Sequence, residues 1–204
     1  SWDVGSFLVG HDKLGYAIVQ NEKGEVRCTT DIEGTVRHEK DGWFAEDAPF
    51  PDPAQLFVTP DHYVFRMLCS QGVALTDLGV PRADGGPTET DGRKIWRLFA
   101  SHYHLFAGTP SRLWLDHSFQ HVFGIDRRLS AETADWYYDH IADCLTRPEF
   151  RPRALFKRFN IEAISTTEPA TDDLRWHRMI RDSGWDGRVI TAYRPDGVVD
   201  PEMA

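Results

Sequence analysis

Asn160-Ile161-Glu162-Ala163-Ile164-Ser165-Thr166-Thr167 and Val189-Ile190-Thr191-Ala192-Tyr193 are two β-like runs, and the residues between them, 171–183, carry a helical period that closes at Gly184. Strand, helix and strand within about 35 residues make a βαβ unit, so the two strands are expected to be parallel neighbours with a right-handed crossover. Thr167-Glu168 and Arg194-Pro195-Asp196 then leave the sheet at its carboxyl edge, where α/β barrels and doubly wound sheets bind ligands. Two strands cannot bury both faces of a sheet, so other elements must cover them. The fold class read from this stretch is α/β.

Upstream the period is helical. Thr59-Pro60-Asp61 is a good start signal, with Thr as N-cap and Pro at N1. The helix it opens carries Phe65, Leu68 and Cys69 on one side and ends at Gly72. Residues 91–106 read as a second helix with Ile95, Leu98, Phe99 and His102 along one stripe. A third runs from Ser111 to Phe123 and stops at Gly124. A fourth begins at Ser130, turns Tyr138, Ile141, Ala142 and Leu145 inward, and ends by Pro148. Residues 43–60 hold Pro49, Pro51, Pro53 and Pro60 and allow only short structure. Glycines punctuate residues 1–35, where Gly15–Val19 followed by a turn at Asn21–Gly24 reads as a small hairpin or as foreign sequence. The division expected is 1–35 as a divergent segment and 36–204 as the main unit, with helices over 54–150 and the βαβ unit over 159–196.

The net charge of -9 over 204 residues argues against a general nucleic-acid or anionic-membrane binder. No apolar run approaches the ~18 residues of a bilayer span. Cys28, Cys69 and Cys144 are odd in number and lack CxxC spacing, which fits reduced thiols and a cytoplasmic location. Seven Trp and twelve Phe supply bulk for a packed interior, which excludes disorder.

Several residues could carry chemistry. Arg194 has a planar fork that can hold a carboxylate bidentately; its plain alternative is a salt bridge to Asp196 or Asp200. His62 and Tyr63, in the first turn of a helix, could shuttle protons; the plain alternative is capping by Asp61 with two amphipathic side chains at a surface. His102 and His104 look like a metal pair, but residues two apart on a helix point to nearly opposite sides. His117 and His121, four apart, share a face but lack the glutamate of an HExxH motif. His38 follows a β-like stretch, a standing ligand position in barrels, or else is an exposed loop histidine. No G-x-G-x-x-G, Walker-type loop or G-x-S-x-G elbow occurs.

From about Gly42 to Asp200 the chain resembles the uronate isomerases of the amidohydrolase superfamily. The resemblance rests on Trp43-Phe44-Ala45 with Ala48-Pro49-Phe50, Pro60-Asp61-His62-Tyr63 through Arg66-Met67 to Gln71-Gly72-Val73, Gly108-Thr109-Pro110, Phe123-Gly124, Phe159-Asn160-Ile161 with Thr166-Thr167, and Tyr193-Arg194-Pro195-Asp196. It implies a partial (β/α)8 TIM-like barrel with a large helical insertion after the first strand. It also implies metal-assisted proton transfer between C1 and C2 of a hexuronate, converting D-glucuronate to D-fructuronate and D-galacturonate to D-tagaturonate. On this resemblance Arg194 grips the uronate carboxylate, Tyr63 and His62 are catalytic, and His38 is a ligand of a divalent metal, Zn²⁺. The partner expected is a small uronate, with no nucleic acid and no membrane, and with room for a homo-oligomer.

Two departures stand against that pattern. The family carries H-x-H where this chain has Val36-Arg37-His38, and Val36 cannot coordinate a metal. Barrel enzymes also commonly exceed about 250 residues, so this chain reads as a fragment that is inactive alone. The alternative is a non-catalytic degenerate homologue that at most binds an acidic sugar. A third reading, a metal-dependent hydrolase, needs a fuller ligand set than Val36 allows.

Overall fold

The computed structural model describes residues 16–20, 26–31, 42–81, 86–169 and 172–194. β1 (Tyr16–Gln20) and β2 (Val26–Asp31) pair antiparallel from Tyr16↔Asp31, with a register shift at Val19/Gln20. Then come α1 (Gly42–Glu46), α2 (Pro53–Phe57), α3 (His62–Cys69), α4 (Gly92–Ser101), α5 (Pro110–His117), α6 (Ala134–Leu145) and α7 (Pro152–Arg158). The chain closes with β3 (Ile164–Pro169), α8 (Arg175–Asp182) and β4 (Val189–Arg194). β3 and β4 are parallel, in register from Ile164↔Val189 to Pro169↔Arg194.

Short polar side chains open the helices. Asp52 Oδ1 accepts from the Ala54 and Gln55 amides at 2.8 and 3.0 Å, and Pro53 follows at N1, so α2 is the short piece of structure that the proline-rich stretch allows. Asp61 and Asp91 cap α3 and α4 in the same way, and Thr109 with Pro110 opens α5. Each cap satisfies first-turn donors that the helix itself leaves unpaired.

The expected cap of α3 needs correction. Thr59 does not cap it, because its hydroxyl donates to the Leu78 carbonyl at 2.8 Å; the helix starts two residues later on Asp61. Other boundaries shift for equally local reasons. The stretch 91–106 breaks after Ser101 into a 3-10 turn, Tyr103–Phe106. After α5 the stretch to Phe123 continues as a π turn, Ser118–Val122. Thr133 accepts from the Ser130 amide at 2.9 Å and holds a turn, so α6 starts only at Ala134. Its buried side chains are Ala134, Tyr137, Ile141, Cys144 and Leu145, while Tyr138 and Ala142 are half-buried. Asn160 takes a left-handed φ of 51°, which turns the chain and delays β3 to Ile164.

Aromatic side chains fill the helical layer. Trp96, Phe99, Tyr103, Phe106, Phe119 and Tyr137 are all fully buried, mostly edge to face at centroid distances of 5.2–6.1 Å. Arg153 joins this layer to the βαβ unit. Its guanidinium donates to the Phe44 and Ala45 carbonyls at the end of α1 and to Ser183 Oγ after α8, at 2.8–3.1 Å. Phe44 stacks on Trp185 at 5.5 Å, and Phe156 meets both rings edge-on.

The buried phenols make stability fall at high pH. The Tyr137 hydroxyl donates to the Arg127 carbonyl, and burial pushes its pKa up to about 12. Burial first, and then the adjacent Asp116 carboxylate, raise Tyr103 as well. An unfolded tyrosine ionises near pH ~10, so above that pH the unfolded chain binds fewer protons than the folded one. Their contribution is therefore fully present below pH ~10 and is lost as pH rises toward the folded values. The urea midpoint is expected to hold between pH 7 and 9 and to drop by pH ~11, and Tyr137→Phe should shrink the drop.

Candidate functional site

The first group of candidate residues sits at the start of α3. Asp61 Oδ1 accepts from the Tyr63 amide at 2.9 Å and the Val64 amide at 3.2 Å. Those two donors are thus committed to the cap. His62 is buried at 4% exposure whereas Tyr63 is 47% exposed. Their rings lie 4.3 Å apart, and Phe65 meets the imidazole at 6.4 Å. The plain alternative read from the sequence put both side chains at a surface; packing takes His62 inside and leaves Tyr63 exposed.

The second group is the carboxyl edge of the parallel pair. Glu168 faces Tyr193 across the ladder, and Pro169 faces Arg194 in the last row. The Arg194 backbone therefore ends β4 at the edge expected from the sequence. Tyr193 beside it is 69% exposed. Pro195, Asp196 and Asp200 lie outside the described residues.

α3 packs mainly on the 3-10 turns Leu75–Leu78 and Tyr103–Phe106, while β4 packs on β3 and α8. A site using His62, Tyr63 and Arg194 together must span both layers.

Sequence reasoning missed a third group. Thr166 and Glu168 meet His177 of α8 in the seam between helix and strands, and Thr191 joins them through Glu168. The Thr191 hydroxyl donates to Glu168 Oε2, and His177 Nε2 lies 2.9 Å from Thr166 Oγ1 and 3.9 Å from Glu168 Oε2. Thr166 and Glu168 are two apart on one strand and so share a face. That parity, with a carboxylate in a β-like run, was the available signal.

The histidine pairs divide. His102 and His104 stack at 6.4 Å, closer in direction than an unbroken helix would allow, because the helix gives way to the 3-10 turn between them. His102 Nδ1 sits 2.9 Å from the Leu98 carbonyl and 3.0 Å from Ser101 Oγ, which occupies one of its two nitrogens. His117 and His121 do share a side, with rings 4.4 Å apart. Among the described residues no three His, Cys, Asp or Glu side chains form a metal-ligand group; His38 and Val36 lie outside those residues. Cys69 and Cys144 are free thiols. No helix among the described residues is long and apolar enough to cross a membrane.

Against known proteins, a family model described as glucuronate isomerase matches residues 34–203. A curated uronate isomerase of Mesorhizobium japonicum is 66% identical over 166 residues, and that of Rhizobium meliloti is 62% identical over 166 residues. Each alignment covers 81% of this chain and 35% of the relative, so the chain spans about a third of the length of the relatives it matches. Among solved structures, glucuronate isomerase from Caulobacter crescentus superimposes with a TM-score of 0.76 at 55% identity, covering 79% of this chain and 34% of that one. Uronate isomerase from Thermotoga maritima superimposes with a TM-score of 0.68 at 22% identity, covering 82% of this chain and 35% of that one; that likeness concerns the fold alone.

Proposed function

The chain belongs to the glucuronate isomerase family, and from that premise we propose that the protein interconverts aldose and ketose hexuronates: D-glucuronate with D-fructuronate, and D-galacturonate with D-tagaturonate. The observation that carries this reading is the match over residues 34–203, which runs through both Asp61-His62-Tyr63 and Tyr193-Arg194. The proposed fold is part of a (β/α)8 barrel in which β3 and β4 are two of the strands and the helices of residues 54–150 are inserted after the first. The proposed setting is the cytoplasm.

In this reading Arg194 holds the C6 carboxylate bidentately from the end of β4 and so orients the chain of the open sugar. A proton leaves C2 as the aldehyde oxygen O1 takes one up through an enediolate; a proton then returns to C1 while O2 gives up its own, which leaves the ketose with a C1 hydroxyl and a C2 carbonyl. The exposed phenol of Tyr63 is the group that moves a proton between these positions, and the buried ring of His62, 4.3 Å from it, fixes its direction. The described residues do not form a metal-ligand set. His38 is the chain's proposed ligand to a Zn²⁺ site.

Val36 in place of a ligand histidine favours a second reading, in which the protein binds a hexuronate without turning it over. One assay separates the two. The protein as its gene encodes it is mixed with D-glucuronate or D-galacturonate and Zn²⁺, and ketose formation and equilibrium binding are followed. Turnover is expected. Saturable binding without ketose supports the second reading, and neither binding nor turnover removes both.

A further inference from the structure

The seam between α8 and the parallel pair holds a buried carboxylate. Thr166 is fully buried and Glu168 is 7% exposed. Burying a carboxylate is costly unless it is well bonded. Apolar side chains at 166 and 168 would fill the same seam without that cost, while Thr191 stands at its exposed margin. What the polar set adds is direction. The Thr191 hydroxyl donates to Glu168 across the ladder. Thr166 Oγ1 lies 2.9 Å from His177 Nε2 and 3.4 Å from the Ile190 carbonyl, which ties α8 to both strands. A slip of β4 by one residue would turn Thr191 to the other face and strand the carboxylate, so the cluster admits one register. The ladder has a single row beyond it, Pro169↔Arg194.

We propose that Glu168, braced by Thr191 and His177, is a positioning residue: it fixes the last row of β4 and hence the backbone from which Arg194 meets the hexuronate carboxylate. The link to the substrate rests on the proposed isomerase reading, whereas the brace itself does not.

The test compares T191V, which removes the donor at nearly equal volume, with T191S, which keeps it, in the protein as its gene encodes it. Amide exchange of a peptide spanning residues 189–194 is expected to quicken about tenfold in T191V while α4 and α6 keep their protection. The KM for D-glucuronate should rise about tenfold with kcat within about threefold, T191S should resemble the wild type, and T191V should add nothing on an R194A background. If T191V does not melt cooperatively, E168L against E168Q carries the same comparison. Unchanged exchange across β4, a fall in kcat at constant KM, or an equal effect with and without Arg194 would overturn the proposal. A wild type without turnover removes the isomerase reading, and exchange then decides the brace alone: faster exchange in T191V upholds it and unchanged exchange refutes it.

Discussion

Arg194→Ala is expected to lower kcat/KM for D-glucuronate by about two to three decades, almost wholly through KM. The magnitude follows from the bond being replaced. Two charge-assisted hydrogen bonds to a carboxylate are worth about 3–4 kcal/mol together, and each 1.36 kcal/mol is a decade. The C6 carboxylate does not react, so its grip is nearly the same in ground and transition states and its loss appears mainly in KM. Arg194→Lys keeps the charge and loses the fork, and an intermediate loss is expected. Steady-state kinetics with D-glucuronate and with its uncharged amide make the check. The variant should lose the preference for the acid while its melting temperature stays put. An equal loss on both substrates would mean that Arg194 serves the fold rather than the carboxylate.

What could be read in advance depended on whether the information was local. The βαβ unit was legible because the period changes around residue 160 and again around 188, and parallel pairing follows from the length of the crossover. Caps were legible as residue types, but the choice between Thr59 and Asp61 was not. Both suit the position, and only the distant Leu78 carbonyl claims one of them. The same limit hid α7 and left α2 as no more than short structure. Asp52-Pro53 and Arg151-Pro152 are both Pro-at-N1 starts, yet prolines in a crowded stretch read equally as breaks. At the candidate site, the motif marked Asp61-His62-Tyr63 as a unit, whereas the split into a buried ring and an exposed one depends on what packs over the helix end. Glu168 and His177 are nine positions apart and meet only when α8 folds back on β3, so no local pattern could pair them.

Trp96→Ala is expected to be the most destabilising single change in the helical layer. The indole is fully buried between Phe99 at 5.3 Å, Phe119 at 6.1 Å and Phe57 at 6.4 Å, and its Nε1–H donates to the Ala134 carbonyl at 3.0 Å. Truncating a buried Trp costs about 3–5 kcal/mol, a fifth or more of the total for a domain stable by about 5–15 kcal/mol. Trp96→Phe keeps most of the volume but leaves the Ala134 carbonyl without the indole donor, and about 1–2 kcal/mol is expected. The same two helices, α4 and α6, are also joined by Arg93 and Arg97 to Asp135 and Asp139. Those side chains are 33–65% exposed and solvent screens them, so Asp135→Ala should move a urea midpoint little. If Asp135→Ala matched Trp96→Ala, the ion pairs rather than the aromatic packing would hold this layer. The functional signature also differs from that of Arg194. α4 packs on the 3-10 turns against which α3 leans, so Trp96→Ala should reduce activity with the folded fraction, lowering apparent kcat at constant KM.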